Sequence, residues 1–450
     1  MSNDLVLKLP PPSGRSANQR VPGASPWWYR LPRLAASVYQ LAMGQGTWVP
    51  TGYLSTARAA HRATLLNNGT VLVTGGYNVN GYLSSAEIYD PMTARWNPAA
   101  DMNDSRVRHT ATLLPDGTVL VAGGWRDSQK VLSSAEIYNP STGAWIPVGS
   151  MKESRGGHTA TLLSNGTVLI AGGCDNSNYS LNSAEIFTPG TRAFSYTSAM
   201  GTPHHYHSAT LLNTGDVLVV GGFHDVSSPL PSEYVELFNH STSEWQFASR
   251  PSWDDTQYFS AFHSTALLTD GTVLLAGGMN ANRSADGLTW ADRLNSETVT
   301  AGELSQSWAS TAGMSPGRYL HTMTLLSDGT ALTAGGFAKV VSPGGLAQQA
   351  GSLSSCERYN PTLSTPGNFN PNGNWLGTTD LSDPRGDHSA TLLPDETVLV
   401  AGGIDSNEAA ALDSAERLYF NVPDLSGCFT GFLIGFGALM KIAGYPFKNS

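Results

Sequence analysis

Four consecutive side chains, His204, His205, Tyr206 and His207, form the densest group of potential metal ligands in this 450-residue chain. Imidazole with phenolate is a donor set that suits copper. Histidine also recurs on a larger scale. His61, His109, His158, His207, His263, His321 and His388 are each followed fourteen residues later by the first glycine of a Gly-Gly pair, from Gly75-Gly76 to Gly402-Gly403. Seven imidazoles in register could hold a metal on an axis, but a residue present in every repeat is expected to serve the repeat itself, bonding to its neighbours at a strand start. Arg58, Arg106, Arg155, Arg318 and Arg385 stand three residues before five of these histidines, and Glu87, Glu136, Glu185, Glu236, Glu297, Glu357 and Glu416 recur downstream. Arginine–carboxylate pairing in each repeat accounts for both sets, with a ring of arginines capturing an anionic ligand as the alternative.

Such residues must be positioned by a unit that returns about every 50 residues, a period that belongs to stacked or ring-like arrays. The second repeat reads as four strands. Thr110 to Leu114 and Thr118 to Ala122 are short apolar runs joined by the turn Pro115-Asp116-Gly117, which fits a hairpin packed on both faces near an axis. Ser134 to Tyr138 and the segment around Trp145 supply the third and fourth strands. Trp96, Phe194, Trp245, Trp308 and Trp375 mark the fourth strand elsewhere, whereas the seventh repeat offers only Leu425 at that step. Trp48, however, lies thirteen residues before His61, the same interval that separates Trp96 from His109. The segment around Trp48 is therefore expected to pair with the strand around Glu416 and close a ring, removing the edges an open stack would expose.

The paired glycines, with Tyr89 and Tyr138 seven residues before a tryptophan, Phe187 and Phe238 in the same place and Tyr359 ahead of Trp375 across the expanded turn of repeat six, resemble kelch repeats from Thr47 to Phe420. The resemblance implies an all-β, seven-bladed kelch propeller whose last blade is completed by an N-terminal fourth strand. Each glycine pair is expected to let an outer-strand aromatic approach the inner backbone. Kelch propellers include protein-binding platforms, sugar-binding or sugar-processing propellers and copper oxidases similar to galactose oxidase, so fold alone does not choose among them. In the oxidases, the resemblance implies, tyrosines just before the repeat histidine bind copper and one is cross-linked to a cysteine. Here those positions are Ala60, Arg108, Gly157, Tyr206, Phe262, Leu320 and Asp387; only Tyr206-His207-Ser208 matches the oxidase phrase. The reading adopted is a binding module with no catalytic set and no cofactor; copper on His204, His205 and His207 belongs to the oxidase alternative.

Charged residues make up 13% of the chain and the formal net charge is -10, which disfavours nucleic acid as a partner. Cys174, Cys356 and Cys428 are too few and too scattered for a disulfide framework. No secretory signal is evident, yet the low charge and polar turns favour an extracellular or cell-envelope setting. Recognition is expected in the variable loops. The glycine pair and the glutamate lie twenty residues apart in repeat five and twenty-two in repeat six, against twelve or thirteen in the first three, and this adds Asn280 to Leu294 and Ala338 to Ser355. Repeat six also expands Pro361 to Asn374. Trp253, Tyr258, Asp286 and Trp290, with Arg108 and Tyr206, are the candidate contacts for a protein or glycan ligand on a monomer. Residues 1–44 read as a leader, 45–421 as the propeller and 422–450 as an apolar tail, marginal as a membrane anchor because a span needs about 20 apolar residues.

Overall fold

A computed structural model of the chain describes residues 46–224, 234–248, 261–280, 286–296, 308–341, 347–362, 370–406 and 410–420. The leader and tail segments, Trp253, Tyr258 and Glu297 lie outside them. Among the described residues the regular elements are strands, and seven four-stranded antiparallel sheets form the blades. No helix among them is long and apolar enough to cross a membrane.

Blade one shows how each sheet is specified. Its inner strand Arg62–Leu65 turns at Asn68-Gly69 into Val71–Thr74, where all four residues are buried. The Asn68 carboxamide oxygen accepts from the Thr70 amide at 3.1 Å and the Thr70 hydroxyl at 2.7 Å, which closes the turn locally. Asp116, Asn165, Asp270, Asp328 and Asp395 do the same in five other blades. The third strand Ala86–Asp90 and the outer strand Arg95–Ala99 complete the sheet, with the Tyr89 and Trp96 rings 5.0 Å apart.

The ring has seven cores, one between each pair of neighbouring blades. Alternation along a single strand serves two of them. Val71 and Val73 pack toward blade seven while Leu72 packs toward blade two, which is why the second strands carry no polar face. Closure follows the expected route. Thr47–Pro50 pairs antiparallel with Ala415–Tyr419, Trp48 opposite Leu418, and the Trp48 ring is buried in the core between blades six and seven.

Blade five differs from the sequence expectation. Its third strand is Ala291–Leu294, and Asp292 rather than Glu297 stands opposite Leu275, where Glu87 stands opposite Val73. The Ser296-Glu297 step imitates the Ser-Ala-Glu of other repeats, but the apolar alternation places Leu294 against Trp308. The added chain of blade five is thus the stretch numbered 295–307 that separates its third strand from its outer strand Trp308–Ser310 in sequence.

At the glycine-pair end, short hairpins prolong blades one, five, six and seven. The longest is Phe337–Val341 with Ala347–Ser352 in blade six. It lies between Asp286–Gly287 of blade five and Ile404–Asp405 of blade seven, and Ala410–Ala411 of blade seven continues the series to Tyr77–Asn78 of blade one. The Ser352 hydroxyl donates to Asp405 at 3.0 Å. These hairpins neighbour one another in series from blade five round to blade one.

Candidate functional site at the axial mouth

Each repeat histidine is preceded by a residue that faces the axis, and the structure links these seven into one hydrogen-bonded ring. The amide of Arg108 donates to the carbonyl of Ala60, Gly157 to Arg108, Tyr206 to Gly157, Phe262 to Tyr206, Leu320 to Phe262, Asp387 to Leu320 and Ala60 to Asp387, at 2.9 to 3.3 Å. All seven have left-handed backbone, with φ between 51° and 64°. For the six that are not glycine this costs about 1–2 kcal/mol each, and the recurrence in every blade shows that the rim itself requires it.

The surrounding repeat residues hold that turn. Arg58 is fully buried; its guanidinium donates to the carbonyls of Gly75 at 2.7 Å and Ser85 at 3.0 Å and pairs with Glu87 at 2.8 Å. Arg106, Arg155, Arg318 and Arg385 repeat the arrangement with Glu136, Glu185, Glu357 and Glu416. The repeat arginines are therefore spent on carboxylates and carbonyls of their own blades. The glycine pairs have a different cause from the expected aromatic approach. A Cβ on Gly75 would meet the His109 ring at 2.9 Å, and one on Gly76 would meet the Ala59 carbonyl at 2.5 Å. Both glycines have positive φ, and the Gly76 amide donates to the Arg106 carbonyl of the next blade at 2.8 Å.

The histidine cluster of blade four resolves into three separate jobs. His204 occupies the repeat-arginine position and reproduces its contacts, with Nδ1 bonding the Gly221 carbonyl at 2.8 Å and Nε2 facing Glu236 at 3.1 Å. His205 Nδ1 shares a hydrogen bond with Ser180 at 2.8 Å, and His207 Nε2 with Thr159 at 2.9 Å. Among the described residues, no three His, Cys, Asp or Glu side chains converge in a way that could hold a metal. The three imidazoles as placed do not fit a copper centre. Burial pushes the Tyr206 phenol up to about 12 and the Cys174 thiol to about 12, so both stay protonated at neutral pH.

Charge and aromatic surface meet on the rim. Arg108 reaches across the opening to Asp387, 2.6 Å away, with its guanidinium carbon 5.0 Å from the Tyr206 ring centre and 5.4 Å from that of Phe262. Burial opposes the Arg108 charge most strongly of any one influence, but Asp387, Tyr206 and Tyr77 together outweigh it and the guanidinium is held above its ordinary value. Tyr206 and Phe262 lie 4.4 Å apart, Trp125 stacks on Tyr206 at 6.0 Å and 19°, and Phe223 meets Phe262 edge-on at 5.7 Å. Arg108, Tyr206 and Phe262 all remain partly exposed.

Of the residues singled out by sequence, Arg108 and Tyr206 thus come together. Trp290, expected to be exposed, is half-buried against the core between blades four and five. Asp286 is placed by its backbone, paired with Asn280, and Trp253 and Tyr258 lie outside the described residues. Sequence reasoning missed Arg62. It follows His61 where the other repeats carry Thr110, Thr159, Ser208, Ser264, Thr322 and Ser389, and that lone departure from a hydroxyl was the available signal.

The Kelch motif family model matches residues 58–103, 106–152 and 155–201, which lie in the first three repeats. No curated protein matches the chain. Among solved structures, a fungal alcohol oxidase of the AA5 family in complex with copper is similar with a TM-score of 0.61 and 17% identity, over 84% of this chain and 76% of that one. YjhT is similar with a TM-score of 0.50 and 15% identity, over 67% of this chain and 96% of that one. At these identities the likeness is one of fold.

Proposed function

We propose that this chain, a seven-bladed kelch-repeat β-propeller, works as a binding module whose recognition site is the axial mouth. The observation that carries the reading is the joining of Arg108, Asp387, Tyr206 and Phe262, from four different blades, around one partly exposed opening. Flat aromatic faces beside a charge pair suit a ring-bearing polar ligand through stacking and hydrogen bonding. Saccharide is favoured over an extended peptide, because the seven rim amides are already bonded to one another and leave no strand edge there for a peptide to join. The loops of blades five and six, with Trp253, Tyr258, Asp286 and Trp290, would extend the surface for a larger glycan or a protein. The reading needs no cofactor and no catalytic residue.

Its competitor is a copper oxidase of the galactose-oxidase kind, prompted by Tyr206-His207-Ser208 and using His204, His205 and His207. Full-length protein on glycan and peptide arrays tests the proposal. Binding to a saccharide set, with no stoichiometric copper by elemental analysis and no oxidation of primary alcohols, is the expected result. Copper near one per chain that disappears in His207→Ala, with alcohol oxidation and no array binding, would replace the module with the enzyme.

A further inference from the structure

Arg62 breaks the pattern of its ring in two linked ways. In most blades the hydroxyl that follows the repeat histidine bonds the histidine of the next blade, as Thr110 does for His158 at 3.1 Å and Thr159 for His207 at 2.9 Å. Arg62 brings no hydroxyl there and bonds the His109 carbonyl instead, and His109 Nε2 shares its hydrogen bond with the Thr74 hydroxyl at 2.8 Å. Thr74 is itself exceptional, since the other residues preceding a glycine pair are Ala122, Ala171, Val220, Ala276, Ala334 and Ala401. A second, compensating hydroxyl therefore accompanies the arginine. Arg62 is only partly exposed, and its Nε donates to the His109 carbonyl at 2.7 Å. Its two terminal nitrogens have no carboxylate or carbonyl partner among the described residues, unlike the repeat arginines. Burial, the largest influence, holds the guanidinium below its ordinary value, while Asp387 favours its charge and Arg108 opposes it.

The neighbouring groups set the sign of the site. His61, His109, His158 and His207 are held neutral, chiefly by burial. Arg62 and Arg108 against Asp387 leave one excess positive charge under the mouth of a chain whose formal net charge is -10. A partly desolvated guanidinium with free donors is a strong partner for a planar oxyanion.

We propose that Arg62 and Arg108 together form an oxyanion site at the rim, with Arg62 its anchor and Arg108 its second donor. This rests on the mouth being the recognition site and specifies the ligand: a compact group bearing a carboxylate or a phosphate ester, seated charge-first with its apolar face toward Tyr206 and Phe262. The test is titration calorimetry of the full chain at fixed ionic strength with glucuronate, inorganic phosphate and glucose, on wild type and Arg62→Thr. That variant restores the residue type of the other repeats, and a thermal melt checks its fold; Arg62→Lys, which keeps the charge and loses the fork, is the second variant. The proposal expects at least one anion to bind at least about tenfold more tightly than glucose, with the stronger anion identifying the source. It expects Arg62→Thr to remove that preference and Arg62→Lys to retain part of it. Equal binding of all three probes, or an anion preference that survives in folded Arg62→Thr, overturns it. Failure of the arrays to find any rim-dependent ligand would sink the binding module yet leave a phosphate titration lost in Arg62→Thr standing, so the two outcomes separate.

Discussion

Every repeat histidine among the six with a resolved direction is held below its ordinary value, and for His158 and His388 burial lowers the imidazole to about 3. In the unfolded chain the same groups take up a proton near the ordinary value of about 6.5. Because the folded state resists protonation, this contribution to stability is complete above about pH 6.5 and is lost progressively as pH falls toward about 3. Thermal melts across pH 8 to 4 should show a flat midpoint above about 6.5 and a steepening fall below it; a midpoint unchanged down to pH 4 would contradict buried neutral imidazoles. The glycines give a second residue-level test. Gly123→Val drives a side chain into the Arg155 carbonyl and to within 2.7 Å of the His158 ring, so it should cost several kcal/mol or prevent folding, beyond the overpacking range of about 1–3 kcal/mol. Gly81 has open space around it but a φ of 119°; Gly81→Ala should therefore cost about 1 kcal/mol from backbone alone. Denaturant melts showing equal losses would remove the contact explanation.

At the scale of elements, blades five to seven differ from the rest on one strand. Arg293, Arg358 and Arg417 follow the third-strand carboxylate where blades one to four carry Ile88, Ile137, Ile186 and Leu237. Each runs to the aspartate of its own inner turn, Asp270, Asp328 or Asp395. Fully buried Arg293 also donates to the carbonyls of Thr362 at 2.9 Å and Asn370 at 2.7 Å, on the expanded turn of blade six. Arg293→Ala would strand Asp270 and free that turn, and about 3–5 kcal/mol of destabilisation is expected; a denaturant midpoint within about 0.5 kcal/mol of wild type would show that the link is idle. The same strand shows what was legible in the sequence. Ala-Asp-Arg-Leu at 291–294 matches Cys-Glu-Arg-Tyr at 356–359 and Ala-Glu-Arg-Leu at 415–418, so the register of blade five was present in the residues, hidden by counting to the wrong carboxylate. Repeat number, strand order and the arginine–glutamate pairs were readable because each recurs. The mouth was less so: Arg108 and Asp387 are 279 positions apart, and only closing the ring brings them together. Arg62 was overlooked because attention to what repeats passes over the one position that does not.

For the whole molecule, ring closure and recognition are one problem, since an opened ring would separate Asp387 of blade seven from Arg108 of blade two. Trp48 fills the core between blades six and seven, and Thr47–Pro50 supplies the last pairing. Deleting residues 1–50 should lower the melting midpoint of the entire propeller, because each blade is stabilised through its neighbours; a midpoint within about a degree or two of the full chain would mean that the ring holds without its latch. The opposite end of the ring supplies the control for function. A shallow hollow of about 290 Å³ there, lined by Pro115, Asp116, Asn165 and Pro189 among others, offers neither the charge pair nor the stacked rings. The decisive measurement is the affinity of the full chain for its strongest array ligand in Tyr206→Ala, Phe262→Ala and, as the control, Asn165→Ala. The account predicts that each rim variant loses at least about 1 kcal/mol of binding, roughly fivefold or more, while Asn165→Ala binds as wild type does. Rim variants that fold and bind with unchanged affinity would contradict it.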